Sequence, residues 1–299
     1  MLNLQLIGEN WKISRESQPE KLVNYKWIES FESTLSNVDS PEDLTVRYYT
    51  QSSEFSKRSI AYTEGTPVVQ FFKMSPGVFF IENFDNTLWK NQDIDSNIRD
   101  KFSSVTKYIQ PDKTYQFDKP YILFALQSIN FTDTTLSKRL LIELIYWAET
   151  NKRYVLFKLH PFTKPDDKIV KYWQMIQSAG IIKEYAVLVD ASYDTTDLIK
   201  RADEVWTYSS GVSLEAVLHN KPTMCFAPNT EFAAIVNVSS SPLALSYANA
   251  VTEEDVNRFL SWYYHKLIID VSREDLQAQI EKRINDCVTY DFDPIKVFA

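Results

Sequence analysis

Between Tyr121 and Ala227 short apolar runs alternate with amphipathic stretches, and no other feature restricts the folding of this chain as much. Residues 121–126 form a continuous apolar run, as expected of a parallel strand covered on both faces. The stretch 135–150 then puts Leu140, Leu141, Leu144, Ile145 and Ala148 on one face of a helix. A strand follows over 153–159, and a helix over 168–179 that Gly180 stops. Residues 186–189 read as a strand, and 194–201 as a short helix with Asp194 as its cap. Another strand (204–207), a helix (212–219) and a strand (223–227) complete the series. Such alternation predicts βαβ units wound into an open, parallel α/β sheet.

The N-terminal third is less regular. Residues 2–7 alternate apolar and polar before Gly8, which reads as a strand, and 24–35 have helical spacing. Residues 47–51 and 67–72 read as further strands, followed by a Ser75-Pro76-Gly77 turn and an apolar run at 78–81. Residues 110–119 hold Pro111 and several charges with no apolar period, which marks a linker. The expected division is therefore a first lobe at 1–115 and a second at 116–299. The tail, with helices at 253–266 and 273–285, is expected to close the second lobe.

Charge narrows the partners. A net charge of −8 and a pI near 5.1 argue against general binding to a phosphate backbone, which needs clustered Lys and Arg. An anionic substrate would have to meet specific donors. Cys225 and Cys287 are too far apart in sequence for a zinc or redox motif, and Cys225 sits in an apolar run as a core thiol. The N-terminus is too short and polar for a signal peptide, and no apolar run approaches a membrane span. A cytoplasmic location follows as an expectation, with any membrane contact peripheral.

Two stretches carry chemistry. The first is Leu156-Phe-Lys-Leu-His-Pro161, a strand ending on a histidine and a proline. In open α/β sheets ligands lie beyond the carboxyl ends of the strands, so His160 and Lys158 are expected near one. Pro161 restricts the backbone leaving the strand and helps to orient the imidazole. Lys158 would add positive charge if it pointed into the cleft. The second is Val205-Trp-Thr-Tyr-Ser-Ser-Gly-Val-Ser-Leu-Glu-Ala216, a strand, a small-residue loop and a helix. Free N–H groups and the helix dipole at such a start favour an anion. Ser209 and Ser210 supply hydroxyls, and Gly211 permits close backbone approach. Glu215, about one turn inside, is placed to accept from ribose hydroxyls. Either stretch alone fits an ordinary strand-end histidine or serine cap. Together, each at a strand's carboxyl end, they describe a nucleotide pocket.

Residues 119–265 resemble the capsule polysaccharide biosynthesis family, which includes bacterial Kdo transferases. The resemblance runs through Lys119-Pro-Tyr-Ile-Leu-Phe-Ala-Leu-Gln127, Asp133, Val155-Leu-Phe-Lys-Leu-His-Pro161, Ala202 to Ala216 and Asn220-Lys-Pro222. The His-Pro and Ser-Ser pair is also similar to motifs of bacterial sialyltransferases, which use CMP-sugars. This resemblance implies a GT-B-like α/β protein of two Rossmann-like lobes with parallel sheets. It implies a donor nucleotide on the C-terminal lobe and an acceptor mostly on the N-terminal one. Gln127 and Asp133 would then lie near the donor sugar or base. The Glu-x-Gly and Arg-Pro elements frequent in the family's first lobe are reduced here to Glu64-Gly65 and Ser75-Pro76-Gly77.

The implied activity is transfer of a sugar from a CMP- or UDP-linked donor to a hydroxyl of a surface or capsular glycan. The nucleotide sugar is a co-substrate, and no cofactor is expected. The donor motifs contain no Asp-x-Asp pair for a metal-bound diphosphate, so no metal site and a metal-independent reaction are expected. Developing phosphate charge would fall to Ser209, Ser210, the Gly211 backbone and His160. A general base is sought in the first lobe. All three histidines lie later in the chain, which leaves Glu64, Glu82 and Glu9, in that order. Three other readings remain open: a phage enzyme that glycosylates hydroxymethylated cytosine in DNA, a sugar-nucleotide binding protein without turnover, and a UDP-sugar epimerase.

Overall fold

The computed structural model describes residues 3–5, 25–39, 44–48, 58–64, 71–76, 87–103, 113–127, 135–161, 163–227, 231–245, 247, 251–293 and 296–297. They form two compact units, one of Met1–Ile109 with Glu253–Ala299 and one of Gln110–Thr252.

The first unit opens with β1 (Asn3–Gln5), α1 (Tyr25–Ser36), β2 (Thr45–Tyr48), β3 (Ser59–Glu64), β4 (Phe71–Pro76) and α2 (Ile98–Ser103). Strands β1, β2 and β3 run parallel, and β4 turns back antiparallel to β3. The expectation of parallel sheets in both lobes is corrected here. Residues 65–70 alone connect β3 to β4, whereas a parallel crossover needs a dozen residues or more. Side chains of β4 alternate across the sheet. Phe72 stacks on Phe31 of α1 at 4.7 Å, while Phe71 meets Phe102 of α2 edge-on at 5.6 Å. Both faces of this sheet are therefore covered.

The second unit holds β5 (Tyr121–Ala125), α3 (Thr135–Asn151), β6 (Tyr154–Lys158), α4 (Lys168–Ser178), β7 (Ala186–Val189), α5 (Thr195–Arg201), β8 (Glu204–Thr207), α6 (Val212–Leu218), β9 (Thr223–Cys225) and β10 (Asn237–Val238). Its six strands are all parallel, in the order β10-β9-β8-β5-β6-β7. Ile122, Phe124, Val155, Phe157 and Trp206 point to one face, under Leu140, Leu144, Ile145, Trp173 and Ile176 of α3 and α4. Tyr121, Leu123, Leu156 and Val205 point to the other, under Leu198 and Ile199 of α5 and Ala216 of α6. This two-sided cover is why the strands read as unbroken apolar runs. The helix signals also hold. Asp194 accepts from Thr196 N at 3.0 Å and Asp197 N at 3.2 Å, and Gly180 takes a φ of 71° past the end of α4. Glu149 of α3 accepts from the amides of residues 183–186, tying the helix to the start of β7.

The chain then returns to the first unit through α7 (Glu253–Trp262), a π-helical turn (Tyr263–Leu267), β11 (Ile268–Asp270) and α8 (Leu276–Thr289). Strand β11 pairs antiparallel with β4, Ile269 opposite Phe72. The tail thus belongs to the first unit, and the expected second lobe at 116–299 is corrected to residues 110–252. Phe259, Tyr263, Leu267, Ile269, Ile280 and Ile284 are buried. Removing residues 253–299 should therefore unfold the first unit selectively. Limited proteolysis read by mass spectrometry should show rapid cleavage within residues 1–109 while 110–252 resist; equal protection of both would contradict this assignment.

Candidate donor site

The strand order places the site. Strand β5 lies between β8 and β6, so the chain leaves it on one side through α3 and reaches its other side only later, through α5. At such a reversal the connecting segments diverge and leave a crevice at the carboxyl ends of the central strands. Three of the singled-out segments meet these ends: Gln127 follows β5, His160 and Pro161 follow β6, and Ser209 to Gly211 follow β8. Adjacent strands lie about 4.8 Å apart, so these loops are immediate neighbours.

The contacts agree with that placement. Gln127 Nε2 donates to Ser209 Oγ at 2.9 Å across the reversal, with Oε1 3.2 Å from the same hydroxyl. Ser210 Oγ accepts from Val212 N at 3.2 Å, and Ser213 N donates to Ser210 O at 3.0 Å, which closes the loop into α6. Thr207 and Ser213 share a buried hydroxyl contact of 2.6 Å that fastens the end of β8 to the helix start. Neither was singled out in the sequence, where a Thr and a Ser six residues apart carry no signal. Among the described residues no acceptor is paired with the amides of Ser210 and Gly211. Glu215 is half-buried in the first turn of α6.

His160 and Lys158 behave differently from each other. His160 is half-buried, and its carbonyl accepts from Thr163 N at 2.8 Å in the turn that follows. Burial, assisted by the charge of Lys158, pushes its imidazole down to about 4, so it is neutral at pH 7. Lys158 is only 2% exposed and does not face a cleft. Its ammonium donates to Leu159 O at 2.7 Å and Ala191 O at 3.2 Å. Burial holds it down at about 8, against the opposing pull of Asp190 and Asp194. The expectation that Lys158 lends charge directly to a ligand is thereby corrected: its position in β6 turns it into the protein.

The expected general bases fare unevenly. Glu64 ends β3, its backbone paired opposite Phe72, but its side chain lies outside the described residues, as do Glu9, Glu82 and Asp133. The reason for passing over histidine no longer holds. His265 belongs to the first unit, with Nε2 3.0 Å from Asp95 Oδ2, and Asp95 also receives Lys101 and the Asn97 amide. Two Asp-x-Asp tripeptides do occur, at Asp93–Asp95 and Asp291–Asp293, both in the first unit and outside the donor loops. Cys225 is a buried thiol bonded to Tyr208 O, and burial pushes Cys287 up to about 12. No helix among the described residues is long and apolar enough to cross a membrane.

Residues 131–230 match the family described as Capsule polysaccharide biosynthesis protein, the family that the motifs resemble. The match spans the His-Pro and Ser-Ser loops. No curated protein matches the chain. Among solved structures, the KpsC beta Kdo 2,4 transferase of Thermosulfurimonas dismutans overlaps 83% of this chain and 88% of its own, at 12% identity and a TM-score of 0.48. The KpsC beta Kdo 2,7 transferase of the same organism overlaps 86% and 88%, at 15% identity and a TM-score of 0.48. A UDP-GlcNAc 2-epimerase of Methanocaldococcus jannaschii overlaps 68% and 50%, at 18% identity and a TM-score of 0.34. With TM-scores below 0.5, nothing about this chain's chemistry follows from these likenesses.

The state of His160 has a consequence for stability. Its folded value near 4 lies below the ordinary 6.5, so between these values the unfolded chain binds more protons. Its stabilising contribution is complete above about pH 6.5 and is lost as pH falls toward 4. Urea unfolding at pH 4.5 and 7.5 should show this loss, and His160→Gln should shrink the difference; an undiminished difference would place the imidazole in water.

Proposed function

Taking the capsule polysaccharide biosynthesis match over residues 131–230 as premise, we propose that this chain is a glycosyltransferase that draws its sugar from a nucleotide-linked donor. The observation that carries the reading is the hydrogen bond between Gln127 and Ser209 across the strand reversal, with His160 on the neighbouring strand end. Three loops from separate parts of the sequence converge there, with hydroxyl, amide and imidazole groups, and Glu215 lies in the first turn of the helix that follows. That donor set suits a phosphate, and Glu215 behind it suits the ribose.

In the reaction the acceptor hydroxyl attacks the anomeric carbon, a base takes its proton, and the bond to the phosphate oxygen breaks. Negative charge grows on the departing phosphate. The hydroxyls of Ser209 and Ser210, the Gly211 amide and a neutral His160 N–H would stabilise it. Because His160 is uncharged, it would act on the departing phosphate as a neutral hydrogen-bond donor and keep its proton. The donor is proposed to be CMP- or UDP-linked, with no other cofactor, and the acceptor a surface or capsular glycan. A modified-DNA acceptor gains no support. Of the first-unit cations, Lys73 is buried, Arg58 lies over Phe292, and Arg99 and Lys101 bind Asn257 and Asp95.

His160→Ala and Ser210→Ala should each weaken nucleotide binding about tenfold with circular dichroism unchanged, one lost hydrogen bond being worth about 1.5 kcal/mol. Glu215→Gln should weaken ribonucleotides about ten- to hundredfold and 2′,3′-dideoxynucleotides much less. Calorimetric titration of the variants with CMP and UDP measures both effects. Unaltered affinity in the first pair removes the donor pocket, and equal loss for both nucleotide classes removes the ribose role. Every proposed leaving-group donor belongs to the protein, so transfer or donor hydrolysis should continue in excess chelator; activity lost to chelator and restored by magnesium would reject this leaving-group site.

A further inference from the structure

Lys158 is the least expected component of the second unit. It occupies the last position of β6 at 2% exposure, where the sheet pattern calls for an apolar side chain. Burying an ammonium costs several kcal/mol unless its protons are satisfied. Here they are directed to two backbone carbonyls, Leu159 O at 2.7 Å and Ala191 O at 3.2 Å. Leu159 immediately precedes His160, and Ala191 lies in the loop between β7 and α5. One side chain therefore spans two adjacent strand ends.

We propose that Lys158 is a positioning residue: its ammonium clamps the Leu159 carbonyl to the β7–α5 loop and so holds the His160 imidazole at the donor site. This rests on the reading of His160 as a phosphate contact. The surroundings fit a clamp. Leu159 N donates to Val189 O at 2.9 Å, so with the Lys158 bond both polar groups of that peptide unit's residue are tied toward β7. On the loop side, Asp190 accepts from Ser192 N at 2.9 Å and Asp194 caps α5, which fixes the loop that carries Ala191. The carboxylates of Asp190 and Asp194 attract the ammonium and lie on the side of β7 and α5, while His160 is the titratable group that the ammonium repels. The clamp thus has two outputs, a fixed backbone leading into His160 and a repulsion that adds to burial in keeping the imidazole uncharged.

Two variants separate these outputs. Lys158→Met removes both the donors and the charge. Lys158→Gln keeps a neutral donor able to reach one carbonyl. In proton NMR titrations of the ligand-free chain, the His160 midpoint should rise in both variants, burial still keeping it below the ordinary value. CMP and UDP affinity, by calorimetry, should fall about tenfold in Lys158→Met and be largely rescued in Lys158→Gln. Should both variants fail to fold, the wild-type chain still answers. A spectrum selective for lysine ammonium groups should contain, besides any signal of the buried Lys73, a signal assigned to Lys158 that is protected from solvent exchange and persists on dilution and on added salt. A wild-type chain whose Lys158 ammonium is unprotected, or a Met variant with unchanged His160 titration and nucleotide affinity, would overturn the clamp. If wild-type protein binds no nucleotide while the protected ammonium and the shifted titration are both found, the clamp stands and the donor reading falls.

Discussion

A parallel sheet covered on both faces leaves only its two ends for irregular backbone, because buried loops would strand their polar groups. In the second unit this constraint gathers the segments after β5, β6 and β8 at one end, and the order β8-β5-β6 makes them neighbours. The Gln127–Ser209 bond, the Thr207–Ser213 contact and the Lys158 clamp all depend on it. If β8 lay at the sheet's margin, Ser209 would have no Gln127 to meet.

Charge is managed at this end by placement. Lys158 is inside and bonded to carbonyls, His160 is half-buried and neutral, and Asp190 and Asp194 are spent on loop and helix amides. Among the described residues, the Ser210 and Gly211 amides at this end have no paired acceptor. Neutral donors can hold an anion without the desolvation cost of presenting a bare cation.

The first unit follows a different logic. Its sheet is completed from the far end of the chain by β11, and its faces are filled by rings from both ends: Phe31 and Phe72 on one side, Phe71, Phe102 and Tyr264 on the other. Such a core has high sequence separation between its partners, and it brings His265 beside Asp95.

The sequence by itself determined the elements between residues 121 and 227 to within about two residues, including the Asp194 cap and the Gly180 stop, but not β10. These signals are local: apolar period, capping oxygen and positive φ are set by neighbours within a few positions. It also placed His160, Ser209, Ser210 and Gln127 at the carboxyl ends of strands, where they lie. Tertiary structure alone decided three things. Strand β3 was missed, since Ser59 and Thr63 interrupt its apolar pattern and its neighbours β2 and β4 supply the pairing. Strand β11 has only three residues, too short for a period, and exists because β4 offers it an edge; with it the tail changed units. Lys158 reads as a ligand when its strand ends beside a pocket, yet side chains alternate along a strand, and which face is covered depends on helices far away in sequence.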